Sequence, residues 1–325
     1  MQNLAKKIHN LFLENQNFLI LTHKNPDGDA IGSVLAIKYF LEKNGKKAEI
    51  YSSTEISEQF EFLYNFFTIK KKYIPKENFD AIIICDSGDL KHTGVEENFI
   101  KKKDKIINID HHKSNNLFGS HNLVIDTMSS TTELLYYFFK FNNIEIDSKL
   151  ATMLLLGIIT DTSNFSNAGT SKNALRVASN LLRKGADFNK IKKNIILDKT
   201  IKKLRSWGFM LSKLEKKLED KIIFTSITLE EMNKYHIEEE DLDGITNILN
   251  DLTDANLAIV LKENKDNTYK VSMRSLNEKI DASEIAKNFG GGGHKKAAGF
   301  TTDKKNVNFI IEDIKKASQN FINNI

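Results

Sequence analysis

One cysteine, Cys85, serves a chain of 325 residues. No internal disulfide can form, which excludes a disulfide-stapled scaffold and fits a reducing, cytoplasmic setting. Cys85 itself reads as a small core residue rather than a nucleophile. Proline is scarce as well, at two residues, while Lys, Asn and Ile abound; this resembles a nucleotide-composition bias. No apolar run approaches the roughly 20 residues of a membrane span. Residues 1–17 lack the uninterrupted apolar stretch of a signal peptide. An excess of charge of one sign is also missing, with 47 basic and 43 acidic residues for a net +4. That balance argues against a long-duplex binder and leaves room for a small anionic ligand on a local basic patch. There is no internal repeat and no long low-complexity segment.

Short apolar runs punctuate the first half. Phe18–Leu21, Lys47–Tyr51, Ala81–Ile84 and Ile106–Ile109 read as strands. Ala30–Glu42 has apolar residues at helical spacing and is closed by Asn44-Gly45. Alternating strands and helices predict an α/β fold, a mostly parallel sheet with helices on both faces. Helices are expected over Thr132–Phe141, Lys149–Ile159 and Ser171–Arg183, followed by a lysine-rich helical stretch over 189–218. The strand pattern restarts at Lys221–Ile227, Asn256–Leu261 and Tyr269–Arg274, with helices at Leu242–Leu252 and Ala282–Lys287. The expected domains are a catalytic unit over 1–190, a helical connector over 191–218 and a smaller α/β substrate-binding unit over 219–325.

Four clusters of carboxylates and imidazoles stand out. Three follow the runs read as strands, His23 with Asp27-Gly28-Asp29, Asp86, and Asp110-His111-His112; Asp161 follows a predicted helix. In an open parallel sheet, functional groups collect beyond the carboxyl ends of the strands. Taken singly, Asp-Gly is also an ordinary turn, and Asp86 or Asp161 an ordinary cap. Together, several oxygen ligands and imidazoles describe a divalent metal centre, with room for two ions. Asp86 could bridge two ions, and Asp110 could orient an imidazole. If their segment stays extended, His111 and His112 should point to opposite sides. In the second half, Gly290 to Gly293 and Gly299 supply five of the 16 glycines. Glycines let backbone N–H groups approach an anion at a turn or helix start, with His294, Lys295 and Lys296 adding donors. Arg274 is a candidate for bidentate phosphate contact. A flexible loop and a solvated arginine are the plainer alternatives.

With these motifs in hand, the chain resembles the DHH/DHHA1 phosphoesterase superfamily, and within it the nanoRNase and pAp-phosphatase (bifunctional oligoribonuclease) group. Thr22 to Ser33 resembles the first motif, Asp86-Ser87 the second, Asp110-His111-His112 the third and Asp161 the fourth. Gly290 to His294 with Ala297-Ala298-Gly299 is similar to the signature of the associated C-terminal domain, and Val271 to Ser275 to its nucleotide-contacting strand. The resemblance implies two Mn2+ ions. One would take His23, Asp27 and Asp86; the other Asp29, Asp86, His111 and Asp161. A hydroxide bridging both would attack phosphorus in line, with His112 facing the scissile phosphate. Ser272, Arg274, Gly291, Gly292, Gly293 and His294 would hold substrate in an interdomain cleft. Mixed N/O ligands also suit Mn2+ better than Mg2+ on their own chemistry.

The function so implied is hydrolysis of very short RNA to mononucleotides, with 3′-phosphatase action on pAp as a second activity. A homodimer is allowed and no membrane is expected. The rival readings are a soluble phosphodiesterase for a cyclic dinucleotide or linear pApA, an inorganic pyrophosphatase, and a non-catalytic nucleotide-binding module. The glycine-rich cradle argues against pyrophosphate, which has no base or sugar to hold, and the complete ligand set argues against a decayed site.

Overall fold

The computed structural model describes residues 1–66, 69–70, 79–96, 99–100, 105–167, 169–197, 200–217, 221–303 and 306–322. The chain divides into two compact units, Met1–Asp198 and Lys199–Ile325.

The first unit is built on one sheet. Its strands are β1 (Asn17–Leu21), β2 (Lys47–Tyr51), β3 (Ile69–Lys70), β4 (Ala81–Cys85), β5 (Ile106–Asp110) and β6 (His121–Val124). They lie in the order β3-β2-β1-β4-β5-β6, and every pairing is parallel. The unbroken apolar runs follow from burial on both faces. Along β1, Phe18 and Ile20 enter one hydrophobic cluster while Leu19 and Leu21 enter another on the opposite face. β4 does the same, with Ala81, Ile83 and Cys85 on one side and Ile82 and Ile84 on the other. Cys85 is a buried free thiol, as its apolar neighbours suggest.

Helices cover the sheet: α1 (Gln2–Glu14), α2 (Gly28–Lys43), α3 (Thr131–Phe141), α4 (Ser148–Asp161) and α5 (Lys172–Arg183). The sequence pattern did not identify α1, although Ala5, Ile8 and Phe12 stand at helical spacing and are buried. Helix α2 is apolar on nearly all sides because it is wedged between the sheet and α4. A Cβ at Gly32 would collide with the Met153 backbone carbonyl, and one at Gly28 with the Thr160 side chain. Those glycines let α2 and α4 approach closely at the level of the functional residues.

The strand order reverses direction at β1, with β2 on one side and β4 on the other. Such a switch point opens a crevice at the carboxyl edge of the sheet.

The lysine-rich stretch is not one helix. It forms α6 (Phe188–Ile191), a π-helical turn over Lys192–Ile196, α7 (Ile201–Ser212) and β7 (Glu215–Lys217). Helix α7 restarts on a Thr200 N-cap and packs into the second unit, where Trp207 and Met210 bury against Ile223 and Ile227. The expected boundary at residues 218–219 lies outside the described residues.

The second unit adds β8 (Ile222–Ile227), α8 (Leu229–Lys234), α9 (Ile245–Ile248), β9 (Leu257–Glu263), β10 (Tyr269–Ser275), α10 (Ala282–Lys287), β11 (Gly292–His294), β12 (Ala297–Thr302) and α11 (Val307–Ile322). The expected helix over Leu242–Leu252 is instead α9 flanked by 3-10 turns. Its sheet runs β11-β12-β10-β9-β8-β7; β8 pairs with β9 in parallel and the other pairings are antiparallel. Among the described residues, no helix is long and apolar enough to cross a membrane.

Candidate metal centre and nucleotide-facing surface

Three adjacent strands, β1, β4 and β5, deliver the acidic and imidazole residues to one edge of the first sheet. Asp86 follows β4 and Asp110 ends β5, while His23 and Asp27 follow β1. Asp27 caps α2, its Oδ1 accepting the backbone N–H groups of Asp29 and Ala30, both at 3.0 Å. Asp29 therefore lies in the first turn of the helix and is fully buried. Asp86 takes a left-handed backbone conformation, φ +57°, uncommon for a residue with a side chain.

Asp86 lies at the middle of the cluster. Its Oδ2 is 3.6 Å from His23 Nε2 and its Oδ1 is 3.7 Å from His111 Nε2. His111 Nε2 is also 3.0 Å from Asp161 Oδ2 and 3.9 Å from Asp29 Oδ2. Among the described residues, three overlapping sets bring ligating atoms within 4.8 Å of one another: His23, Asp27 and Asp86; Asp29, His111 and Asp161; and Asp86, His111 and His112.

The other nitrogen of each imidazole has a fixed partner. His23 Nδ1 lies 2.8 Å from the Lys24 carbonyl oxygen, and His111 Nδ1 lies 3.3 Å from that of Met128. Each Nδ1–H donates to a carbonyl, so each Nε2 faces the carboxylates. This is the arrangement of a metal-binding histidine, in which the second nitrogen is anchored outside the coordination sphere. Among the described residues, the buried His111 Nε2 has no well-aligned hydrogen bond and faces Asp161 Oδ2 as an ion-pair partner. The buried Asp29 and Asp86 carboxylates crowded around that nitrogen are costly without a cation, and the donor set fits divalent ions.

The electrostatics point the same way. Burial, then the charges of Asp86 and Asp161, raises the Asp27 carboxyl to about 6. The same causes push Asp29 well above the usual carboxylate range. Burial opposes charging of His23, but Asp86, the Lys24 carbonyl and Asp27 outweigh it and carry the imidazole up to about 9. Burial likewise opposes His111, which Asp161, Asp29 and Asp86 carry up to about 10. Several carboxylates forced together hold protons that a cation would replace.

His111 and His112 do not diverge. Their rings lie 4.5 Å apart, and both approach Asp86. The reason is that the strand ends at Asp110, whose Oδ1 accepts the backbone N–H groups of His111 and His112 at 2.8 and 3.2 Å. That turn ends the two-sided alternation of an extended chain. Asp110 Oδ1 also accepts from His112 Nδ1 at 2.7 Å, so the imidazole it orients is His112. Asn115 Nδ2 donates to Asp110 Oδ2 at 2.5 Å and holds the carboxylate from its other side.

Sequence reasoning missed the hydroxyl and amide donors behind the site. Thr131 Oγ1 donates to Asp86 Oδ1 at 2.9 Å. The Thr131 and Thr132 N–H groups, at 2.6 and 2.9 Å, and Thr132 Oγ1, at 2.7 Å, donate to Asp29. The run Ser129-Ser130-Thr131-Thr132 carried the signal, since Ser and Thr ahead of a helix offer both a cap and free N–H groups.

The glycine run differs from its expected form. It follows the end of α10 rather than starting a helix. Gly290, at φ +74°, closes that helix, and Gly292–His294 then pairs with Ala297–Gly299 as a hairpin. Ser272, Arg274, Gly292 and Gly293 line a depression of about 440 Å³ on this part of the second sheet. Gly291 and His294 do not line it. Across it, Ser272 is in register with Gly299, which faces Gly292. A Cβ at Gly299 would meet the Val271 carbonyl at 2.6 Å. The Arg274 guanidinium, half-buried, donates to Thr246 Oγ1 at 3.3 Å and to the Met273 carbonyl at 3.2 Å.

Comparison with known proteins agrees with this division. Residues 17–158 match the DHH family N-terminal domain, and residues 219–320 match the DHHA1 domain. The chain is 29% identical over 304 residues to a bifunctional oligoribonuclease and PAP phosphatase of Thermus thermophilus, covering 92% of this chain and 88% of that protein. It is 26% identical to a cyclic-di-AMP phosphodiesterase of Bacillus subtilis, covering 97% of this chain and 49% of that protein. A crystal structure of an exopolyphosphatase-related protein from Bacteroides fragilis superposes with a TM-score of 0.89 at 24% identity, covering 99% of this chain and 97% of that one. Matched in both of its units, the chain belongs to the DHH/DHHA1 phosphoesterase superfamily.

Proposed function

We propose that this chain is a divalent-metal-dependent phosphodiesterase that hydrolyses very short RNA oligonucleotides to mononucleotides and also removes the 3′-phosphate of pAp. The observation that carries the reading is the position of Asp86, whose two oxygens face His23 Nε2 and His111 Nε2 separately. One carboxylate with an imidazole on each side is suited to lie between two cations. His23, Asp27 and Asp86 would hold one, and Asp29, Asp86, His111 and Asp161 the other, with Mn2+ the best match to mixed nitrogen and oxygen donors. Bound there, the ions would supply positive charge to the scissile phosphate and lower the pKa of the attacking water.

The chain's own residues would do the rest. Lys24 and Met128 carbonyls keep the His23 and His111 Nε2 atoms turned inward. Asp110 keeps His112 Nδ1 engaged and raises its pKa, leaving Nε2–H free to donate to a phosphoryl oxygen or to the leaving hydroxyl. Arg274, Ser272 and the glycine backbone at 292–293 would hold phosphate and ribose. The relative of Thermus thermophilus, matched over 92% of this chain, supports the substrate class.

A second reading, hydrolysis of a cyclic dinucleotide or of linear pApA, draws support from the match to the Bacillus subtilis phosphodiesterase. A panel of a 5′-labelled RNA trimer, pAp and a cyclic dinucleotide, assayed side by side with Mn2+, separates the two. The proposal expects mononucleotides from the trimer and adenosine 5′-monophosphate from pAp. Turnover of the cyclic dinucleotide alone would replace it with the second reading, and turnover of none would reject both.

A further inference from the structure

Glu133, on the first turn of α3, is fully buried although it is an acid. Its Oε2 accepts the backbone N–H of Ser129 at 2.7 Å, and its Oε1 has no hydrogen-bond partner among the described residues. Burying a carboxylate with one oxygen unpaired costs several kcal/mol. The Ser129 N–H belongs to the same peptide group as the Met128 carbonyl, and that carbonyl accepts from His111 Nδ1–H at 3.3 Å. Glu133, one peptide unit and His111 thus form a line. An acceptor on the N–H side of a peptide makes its carbonyl a stronger acceptor.

The same short segment serves a second member of the cluster. Ser130 caps α3, its Oγ accepting the Glu133 N–H at 2.9 Å. The next two N–H groups, of Thr131 and Thr132, donate to Asp29. Glu133 therefore clamps, from behind, a segment whose other side orients both His111 and Asp29. Thr131 Oγ1 also donates to Asp86, which both halves of the cluster share, whereas neither His23 nor Asp27 receives a hydrogen bond from that segment.

We propose that Glu133 is a positioning residue for one half of the centre, holding residues 128–132 so that His111 Nε2 and Asp29 converge with Asp161. It acts through the Met128–Ser129 peptide and does not touch the ion. This inference rests on the reading of the cluster as a two-metal site, and its test has one arm that needs no metal.

In the first arm, amide hydrogen exchange is measured on metal-free wild-type protein, Glu133→Ala and Glu133→Gln. The Thr131 and Thr132 amides should lose about tenfold in protection in Glu133→Ala, while amides deeper in α3 keep theirs. Glu133→Gln, whose amide oxygen can still accept from Ser129 N–H, should retain most of it. It also serves as the folded control if the alanine variant does not fold. Unchanged Thr131 and Thr132 protection, or a uniform loss along α3, overturns the inference.

In the second arm, Mn2+ is titrated by calorimetry. Wild type should bind two ions, and Glu133→Ala should weaken one of them by about 10–100-fold and the other, which shares Asp86 with it, clearly less. Equal weakening of both, or of neither, overturns the inference. Wild-type protein that binds no Mn2+ rejects the metal reading instead, and the exchange arm then decides the role of Glu133.

Discussion

His112 Nδ1 lies 2.7 Å from Asp110 Oδ1, in the same hydrogen-bonded turn that Asp110 closes with the His111 and His112 amides. Asp110 thus orients the imidazole of His112, a residue expected to meet substrate, rather than that of His111, which faces the carboxylates. Asp110→Asn should lower kcat on an RNA trimer by roughly 10²-fold, the scale of one positioned acid–base group. Bound Mn2+ should stay at the wild-type level, as measured by elemental analysis of the purified variant. Loss of metal with activity would move Asp110 into the coordination machinery.

Asp86 is the residue on which both halves of the cluster depend. Asp86→Ala should bring the metal content from two ions per chain to below one. Melting in the absence of metal should fall, because the charged His23 and His111 imidazoles lose the carboxylate that lies between them. Wild-type metal content in this variant would exclude Asp86 from a position between ions.

Protons and metal should compete. His23 and His111, carried up to about 9 and about 10, hold protons near pH 7.5 that must leave before Nε2 can bind an ion. Calorimetry in buffers of different ionisation heat should show release of roughly two protons at that pH. Affinity should fall as pH falls. The sign for the metal-free fold is opposite to the usual carboxylate case. The Asp27 pKa is raised from 3.8 to about 6, so the folded chain binds more protons than the unfolded one, and that stabilisation is lost as pH rises through 6. Added Mn2+ should therefore raise Tm more at pH 8 than at pH 6. A larger rise at pH 6 would contradict the charge arrangement.

Helix packing and site are coupled at Gly157. A Cβ there would press into Asp29 Oδ1 and the Thr132 side chain. Gly157→Ala should destabilise the protein by about 1–3 kcal/mol, the usual range for overpacking, and weaken Mn2+ binding as well. Lower stability with unaltered metal affinity would separate the packing from the site.

In the second unit, Arg274→Ala should raise KM for an RNA trimer about tenfold, consistent with loss of one charge-assisted phosphate contact. Metal content should not change. An unaltered KM would remove Arg274 from the substrate surface.

The elements that were plain in the sequence are those whose burial leaves a periodic trace. Strands β1, β4 and β5 are covered on both faces, so they appear as short apolar runs, broken in β5 only by the buried Asn108, and the acidic residues at their ends fall at one sheet edge by topology alone. What escaped was set by contacts distant in the chain. Residues 189–218 have helical composition, yet the chain is parted there because Trp207 and Met210 find partners in Ile223 and Ile227. Gly292–His294 has no strand signature and becomes a strand only because Ala297–Gly299 pairs with it. The direction of His112 depended on one hydrogen bond to Asp110 that no alternation rule contains.

The central claim is that Asp86 lies between two cations. Anomalous scattering at the manganese edge, on crystals grown with Mn2+, tests it most directly. Two peaks about 3.5–4 Å apart, one on the His23 side of Asp86 and one on the His111 side, are the result this account predicts. A single peak, or two peaks without Asp86 between them, would contradict it.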